Sequence, residues 1–281
     1  MSMQLKVSHT TGYKYEGTVV TSFNEARMTP ITAPGQLVLS TRLDVNPSPF
    51  VYKYRDYWGA MVSAFEVTDV HHELLVTSTS VVHVDRHAAQ PRWLSWDDLR
   101  DPKVVDRMCE YLSISRRVAP GEELAARLGS LRAASKGPTD FARSVCALVH
   151  DEVEYVFGST HVHSHADDAW DARAGVCQDL AHLCIGALRT AGVPARYVSG
   201  YLHPSAEAVV GETVVGESHA WIEWWDGAWV PFDPTNMLTP DNRYIVVAAG
   251  RDYADVAPLV GIFSGGDTSS MFVEVSVTRV E

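Results

Sequence analysis

The stretch Gly175-Val176-Cys177-Gln178-Asp179-Leu180-Ala181-His182-Leu183 decides the interpretation of this 281-residue chain. After Cys177, apolar residues recur at the spacing of an α-helix, and Gly192 and Pro194 end the run. The pattern therefore places Cys177 in the first turn of a helix. A helix N-terminus carries partial positive charge and free backbone N–H groups, which favour a thiolate and can stabilise an oxyanion. Cys177 is thus the candidate nucleophile.

Two later blocks supply a base and a carboxylate, Ser218-His219-Ala220-Trp221 and Phe232-Asp233-Pro234-Thr235-Asn236. His219 opens an alternating strand and Asp233 closes the next one, with Asp226-Gly227 turning the chain between them. A cysteine attacks an amide carbonyl well only as thiolate, so it needs a base in reach and a carboxylate that orients the base. The catalytic candidates are therefore Cys177, His219 and Asp233.

The register of this hairpin decides whether Asp233 can reach His219. A two-residue Asp226-Gly227 loop would turn the Asp233 side chain to the opposite face of the hairpin. We therefore predict a three-residue loop, Trp225-Asp226-Gly227, or a bulge with the same effect, with Gly227 in the left-handed conformation. This loop sets His219 directly opposite Asp233, within reach of a carboxylate–imidazole hydrogen bond.

Together these blocks resemble the transglutaminase-like superfamily, and most closely its bacterial two-domain members. The resemblance continues in two further strings, Gly192-Val193-Pro194-Ala195-Arg196-Tyr197-Val198-Ser199-Gly200-Tyr201-Leu202 and Gly250-Arg251-Asp252-Tyr253-Ala254-Asp255-Val256. It covers about residues 155–265 closely and the first ninety residues loosely. The resemblance implies an N-terminal β domain joined to a papain-like core, and a cofactor-free triad that forms a thioester acyl-enzyme.

The sequence pattern agrees with an α+β fold in two domains. Residues 1–92 alternate β-branched or aromatic residues with polar ones, which is typical of an antiparallel β domain, and they carry no catalytic constellation, so we expect them to serve in packing. Residues 93–281 are expected to hold a helical connector and the catalytic core. Helical spacing predicts helices over residues 101–113, 122–133 and 139–154.

Composition excludes several classes of partner. The net charge is −12, from 23 basic and 35 acidic residues, and there is no Lys/Arg cluster of the kind that binds nucleic acid. The N-terminus lacks the apolar core of a signal peptide, and no stretch approaches the roughly 20 apolar residues of a membrane span. We therefore expect a cytoplasmic protein with no nucleic-acid or membrane partner. The absence of a glycine-rich phosphate loop gives no support for nucleotide binding.

The four cysteines, Cys109, Cys146, Cys177 and Cys184, contain no CxxC pair, which argues against a disulfide framework or a zinc ribbon. Cys109 and Cys146 fall inside predicted helices, and Cys184 lies two turns after Cys177 on the same face. We expect these three to be core residues without a catalytic role.

Several aromatic side chains are further candidates for the site. Trp170, seven residues before the nucleophile, could offer its indole N–H as a second oxyanion donor beside the Cys177 backbone N–H. Four tryptophans cluster around the hairpin, where they either shield the thiolate–imidazolium pair or pack in the core: Trp221, Trp224, Trp225 and Trp229.

The run His161-Val162-His163-Ser164-His165 raises the possibility of a zinc site, since three imidazoles on one side of a strand could bind the metal. The spacing lacks cysteine or acidic partners in register. Relatives carry a Gly-Ser-Thr string followed by a polar loop here, as in Gly158-Ser159-Thr160, so the resemblance favours a loop that is solvated or flanks the substrate. No metal is assigned.

The predicted reaction is acyl transfer from a peptide or protein amide. Water as acceptor makes the protein a peptidase or amidase, whereas an amine makes it a transglutaminase. We favour hydrolysis, because relatives of this two-domain type are generally regarded as hydrolases and no calcium-binding acidic loop is present. A catalytically silent peptide-binding module is the third alternative. The sequence leaves substrate identity and oligomeric state open.

Overall fold

The computed structural model describes residues 2–87, 91–216, 218–266 and 269–281. The strands are β1 Met3–Thr29, β2 Gln36–Asn46, β3 Val51–Arg55, β4 Met61–Val67, β5 His71–Val84, β6 Glu154–Tyr155, β7 Ala174–Gly175, β8 Ala195–Leu202, β9 Thr213–Gly216, β10 Ser218–Trp225, β11 Trp229–Phe232, β12 Tyr244–Gly250, β13 Leu259–Gly265 and β14 Ser269–Arg279. The helices are α1 Trp96–Arg100, α2 Pro102–Arg107, α3 Cys109–Leu112, α4 Glu122–Ala134, α5 Pro138–Glu152, α6 Ala166–Ala172, α7 Cys177–Thr190 and α8 Tyr253–Val256. The two larger sheets are antiparallel, and five of the helices, α1 to α5, follow one another between β5 and β6, which confirms the α+β prediction.

The larger sheet is organised around β1, which is 27 residues long. The first half of β1 pairs with β5 and β14, and its second half pairs with β4 and β13, all antiparallel. The strands β9, β13 and β14 come from the C-terminal part of the chain. The sheet that begins the protein is therefore completed by its end, and the division near residue 92 stays a prediction.

The second sheet has the order β11-β10-β8-β12 and packs against α7. Nearly the whole of α7 is buried, with α5 and α6 beside it. Its last turn is held by Arg189, whose guanidinium donates to the carbonyl oxygens of Ser113 at 2.9 Å and Arg251 at 2.7 Å. Gly192, with a φ of 86°, then turns the chain into β8. The predicted extent of this helix is thus confirmed.

The helical connector differs from the prediction at one point. The expected helix over residues 101–113 is broken at Met108 into α2 and α3. Met108 takes the buried position there, with 4% of its surface exposed, whereas Cys109 points outward. The prediction that Cys109 is a core residue was therefore wrong, while Cys146 and Cys184 are fully buried as expected. Within the described ranges, none of the helices combines the length and apolar content needed to cross a bilayer.

The hairpin of β10 and β11 has a three-residue loop, but the predicted register was wrong by two residues. Trp225 pairs with Trp229, so the loop is formed by residues 226–228, with Gly227 at a φ of 78° as expected. Since side chains alternate along a strand, a shift of two residues leaves Asp233 on the same face as His219, diagonal to it rather than opposite.

A distant contact explains this register. The Asp226 carboxylate is buried and accepts hydrogen bonds from the backbone N–H groups of Trp93 at 2.9 Å and Leu94 at 2.7 Å. Its own N–H donates to the Ala228 carbonyl at 2.9 Å. These bonds hold Asp226 in the loop and against residues 93 and 94 of the connector. The loop therefore starts at Asp226, one residue later than predicted.

Candidate active site

Cys177 and His219 line one cavity of about 260 Å³. Cys177 opens α7, as predicted, and His219 is the second residue of β10. The cavity lies between the two sheets, because β1 and β14 supply part of its lining. The lining side chains are His9, Thr11, Tyr155, Phe157, Val162, Val176, Cys177, Gln178, Tyr197, Ser199, Ser218, His219, Ala220, Tyr253, Pro258, Leu259, Met271 and Val273.

The His219 ring is held between Asp233 and Cys177. Its Nε2–H donates to Asp233 Oδ2 at 2.7 Å, which leaves Nδ1 as the ring nitrogen available to the Cys177 side chain. Burial alone would lower the pKa of His219, but the hydrogen bonds to Asp233 and Cys177 outweigh burial and raise the pKa to about 10. The imidazole is therefore protonated at neutral pH, beside the Cys177 sulfur.

Asp233 lies just beyond the end of β11 and has no exposed surface. Its Oδ2 accepts from His219, from the Tyr244 hydroxyl at 2.7 Å and from Asn236 Nδ2 at 2.8 Å. Its Oδ1 accepts from the backbone N–H groups of Thr235 at 2.8 Å and Asn236 at 3.2 Å. Burial would raise the pKa of Asp233, but the bonds to its carboxylate lower it, so the group stays ionised.

Sequence reasoning missed both side chains that support Asp233. Asn236 stands in the quoted Asp-Pro-Thr-Asn block, where an aspartate that bonds to backbone groups two and three residues on is a known turn signal. Tyr244 comes from β12, on the far side of β8. Nothing in its local sequence marks it.

Asp179 fixes the start of α7. Its Oδ2 accepts from the Val176 N–H at 2.8 Å and from Thr160 Oγ1 at 2.6 Å. A Cβ at Gly175 would lie 2.9 Å from the Asp179 Cβ, which is too close for two carbon atoms. Only glycine therefore leaves room for the Asp179 side chain in this position. Burial raises the pKa of Asp179, against the effect of these hydrogen bonds. Thr160, from the Gly-Ser-Thr string, thus helps to set the orientation of Cys177.

The late string 250–256 reaches the cavity through Tyr253. Its N–H donates to His182 Nε2 at 3.2 Å, which connects the string to α7, and Asp252 caps α8 through the Ala254 N–H at 2.9 Å. His182 is fully buried, and burial lowers its pKa to about 3, so the ring is neutral and accepts this bond. This contact links the late string, which carried no assigned role, to the helix that carries Cys177.

The tryptophan candidates lie outside the cavity. Trp170 packs against the guanidinium groups of Arg127, at 5.5 Å, and Arg173, at 4.3 Å, and does not line the cavity. Trp221 and Trp224 have no exposed surface, and the other two hairpin tryptophans pack edge to face on each other. Packing therefore accounts for Trp224, Trp225 and Trp229, whereas the buried Trp221 also stacks on the His219 ring, with centroids 6.2 Å apart, and so covers one face of the imidazole.

The three loop histidines do not form a ligand set. His161 Nδ1 is hydrogen-bonded to Ser164 Oγ at 2.7 Å, and its ring lies 6.4 Å from that of His163. Among the described residues, the group whose potential ligand atoms lie within 4.8 Å of one another is His165, Asp167 and Asp168, with both acids exposed. Asp168 accepts from the His165 N–H at 2.9 Å at the start of α6.

Comparison with known proteins places this geometry in a family. Residues 5–83 match the bacterial transglutaminase-like N-terminal region, and residues 125–234 match the transglutaminase-like superfamily. An uncharacterised protein of Mycobacterium leprae is 42% identical over 277 residues, covering 99% of each chain. The chain belongs to the transglutaminase-like superfamily. Cys177, His219 and Asp233 all fall inside the second matched region of this superfamily.

Two further relatives differ in how far the similarity extends. The crystal structure of a candidate cysteine protease from Cytophaga hutchinsonii superposes with a TM-score of 0.79 at 22% identity, covering 100% of this chain and 92% of that one. A Pseudomonas aeruginosa protein named protein-glutamine gamma-glutamyltransferase is 35% identical over 103 residues, which is 33% of this chain and 15% of the other. The first likeness covers the whole fold, and the second covers part of it.

Proposed function

We propose that this transglutaminase-like protein hydrolyses a peptide or protein amide through a thioester on Cys177. The observation that supports the proposal best is the position of His219, which is hydrogen-bonded to the buried Asp233 carboxylate and lines one cavity with Cys177. A thiol, an imidazole and a carboxylate in this order are the parts that nucleophilic acyl transfer requires.

In the proposed reaction, the Cys177 thiolate attacks the amide carbonyl and forms a tetrahedral intermediate. The backbone N–H of Cys177, at the first position of α7, has no intrahelical acceptor and is available to the oxyanion. His219 then gives its proton to the leaving amine as the C–N bond breaks, which leaves a thioester and a neutral imidazole. Water, deprotonated by His219, attacks the thioester and releases the acid as the C–S bond breaks, which restores the thiolate and the imidazolium.

Asp233 keeps the imidazole in the orientation that this sequence needs. Its Oδ2 binds Nε2 throughout, so Nδ1 exchanges the proton with sulfur, leaving group and water. The bonds from Tyr244 and Asn236 hold the carboxylate in place without solvent. Transfer of the acyl group to an amine uses the same steps with an amine instead of water. The name of the Pseudomonas relative is the observation that favours this second function.

Replacing the proposed nucleophile tests the function. We expect Cys177→Ala to abolish amide turnover, because no thioester can form, and Cys109→Ala, which removes an exposed thiol, to leave turnover unchanged. Turnover is measured on a peptide library by mass spectrometry, with and without a primary amine. Free acid as product in both samples supports hydrolysis, and a substituted amide in the second supports transfer.

Substantial turnover by the Cys177→Ala protein would contradict the assignment of the nucleophile. Cys184→Ala is a further check inside α7. Its side chain is fully buried, so we expect a packing loss of roughly 1 kcal/mol in stability with the chemistry retained.

A further inference from the structure

The larger sheet contributes polar side chains to the cavity, although the sequence suggested only packing for it. His9 and Thr11 lie two residues apart on β1, on one face of the strand, and both line the same cavity as Cys177 and His219. Both are buried, with 1% and 3% of their surfaces exposed. Neither takes part in the proposed proton transfers.

A chain of hydrogen bonds fixes the proton positions in this pair. The Tyr201 hydroxyl contacts the Met28 carbonyl oxygen at 3.1 Å, and because a carbonyl only accepts, the tyrosine must donate to it. The Tyr201 oxygen also lies 2.9 Å from His9 Nδ1. Because the Tyr201 hydroxyl donates its proton to Met28, its oxygen can only accept from His9, so Nδ1 of His9 carries a hydrogen.

The other side of the His9 ring then dictates the state of Thr11. Burial lowers the pKa of His9 to about 4, so the ring is neutral near pH 7, and its Nε2 has a lone pair instead of a proton. Thr11 Oγ1 lies 3.0 Å from Nε2 and must donate to it. The hydroxyl proton of Thr11 is therefore taken, and its oxygen can act toward the cavity only as an acceptor.

The charge of the cavity restricts what Thr11 can accept from. Among the described residues that line it, none is an Asp, Glu, Lys or Arg. An ammonium group would lie near the protonated His219 ring, and the thiolate of Cys177 is already paired with that ring, so its burial would carry a high desolvation cost. A neutral N–H donor on an otherwise apolar group has no such cost. Met271 and Val273, from β14, provide the apolar surface beside Thr11.

We propose that Thr11, with its hydroxyl oriented by His9, accepts a hydrogen bond from the amide N–H of the substrate residue whose carbonyl Cys177 attacks. This inference rests on the proposed function and adds the substrate class, a neutral acyl group that carries an N–H. The larger sheet is then a substrate-binding wall of the site.

The test uses three ester probes and two variants. The probes are the para-nitrophenyl ester of an N-acyl apolar amino acid, the same ester methylated on its amide nitrogen, and para-nitrophenyl acetate, which has no N–H. Thr11→Val keeps the shape of the side chain without the acceptor, and Thr11→Ser keeps the acceptor. We expect Thr11→Val to lower kcat/KM roughly tenfold on the first probe only, the loss of one hydrogen bond, and Thr11→Ser to retain activity.

Methylation of the amide should lower wild-type kcat/KM by a similar factor and have no further effect on Thr11→Val. Equal losses by Thr11→Val on all three probes would make Thr11 merely structural and overturn the proposal, as would no loss on any. A change by Thr11→Val only in the partition of the thioester to an added primary amine would assign Thr11 to the acceptor amine, which also overturns it. Cys177→Ala that stays active on the acetate ester would refute the proposed function itself, whatever Thr11 does.

Discussion

At the residue scale, His219 is defined by two neighbours that act on its charge in the same direction. Asp233 and Cys177 both raise the pKa of the ring, against the opposing effect of burial. Asp233 can do so because its own charge is stabilised in a dry site by Tyr244, Asn236 and two backbone N–H groups. A buried carboxylate without those donors would take up a proton and no longer hold the imidazolium.

Removing this carboxylate should shift the pH dependence of activity. In Asp233→Asn the ring loses its anionic partner, so the pKa of His219 falls from about 10 and the imidazolium that protonates the leaving amine is lost at lower pH. We expect kcat to fall by roughly 10² to 10⁴ and the alkaline limb of kcat/KM to move toward neutral pH. The pH–rate profile measures both.

The matched control is Asp151→Asn, which neutralises an exposed carboxylate of α5 that does not line the cavity. Its profile should match that of the wild type. An alkaline limb that does not move in Asp233→Asn would be incompatible with the role given to Asp233.

At the element scale, the site depends on how closely β8 fits between β10 and β12. Gly200 of β8 pairs with His219 on one side and Val246 on the other. A Cβ at Gly200 would lie 2.0 Å from the Ile245 carbonyl oxygen and 2.6 Å from the Trp221 ring. Because the obstacle includes backbone, one strand would have to move.

We therefore expect Gly200→Ala to lower the free energy of unfolding by at least about 2 kcal/mol and to reduce activity, since β10 carries His219 and β12 carries Tyr244. Urea denaturation measures the first effect. Gly129→Ala is the control: this exposed glycine of α4 has open space around its Cβ position, so alanine should stabilise by up to about 1 kcal/mol. A fully stable Gly200→Ala protein would show that the strands tolerate separation.

Elements with strong local signals were predictable from sequence, and elements fixed by distant contacts were not. The start of α7 at Cys177 follows from helical spacing alone. The hairpin register was missed because Asp226 bonds to Trp93 and Leu94, more than a hundred residues earlier in the chain. The roles of Tyr244 and Thr11 likewise depend on sheet order, which no local pattern encodes.

At the scale of the whole molecule, β1 joins the two ends of the chain and places a buried histidine beside the site. His9 on β1 and His182 on α7 are both neutral in the folded protein, since burial lowers their pKa values to about 4 and about 3. His219 is the opposite case, with a pKa raised to about 10. The three histidines therefore contribute to pH-dependent stability with different signs.

These signs predict a stability maximum near the ordinary histidine pKa of about 6.5. Below that pH the unfolded chain protonates at His9 and His182 while the folded protein does not, so the free energy of unfolding falls as pH drops, by up to about 1.4 kcal/mol per pH unit for each. His219 is protonated in both states in this range and contributes no slope. Above about pH 6.5 only the folded protein keeps its proton on His219, so the stabilisation that His219 provides is lost as pH rises through about 10.

Urea unfolding between about pH 5 and pH 7 measures the acid slope. His9→Gln should reduce the acid slope by up to about 1.4 kcal/mol per pH unit. The control His87→Gln, at an exposed position, should leave the slope unchanged. An unchanged slope in His9→Gln would mean that His9 binds its proton equally well in the folded and unfolded states.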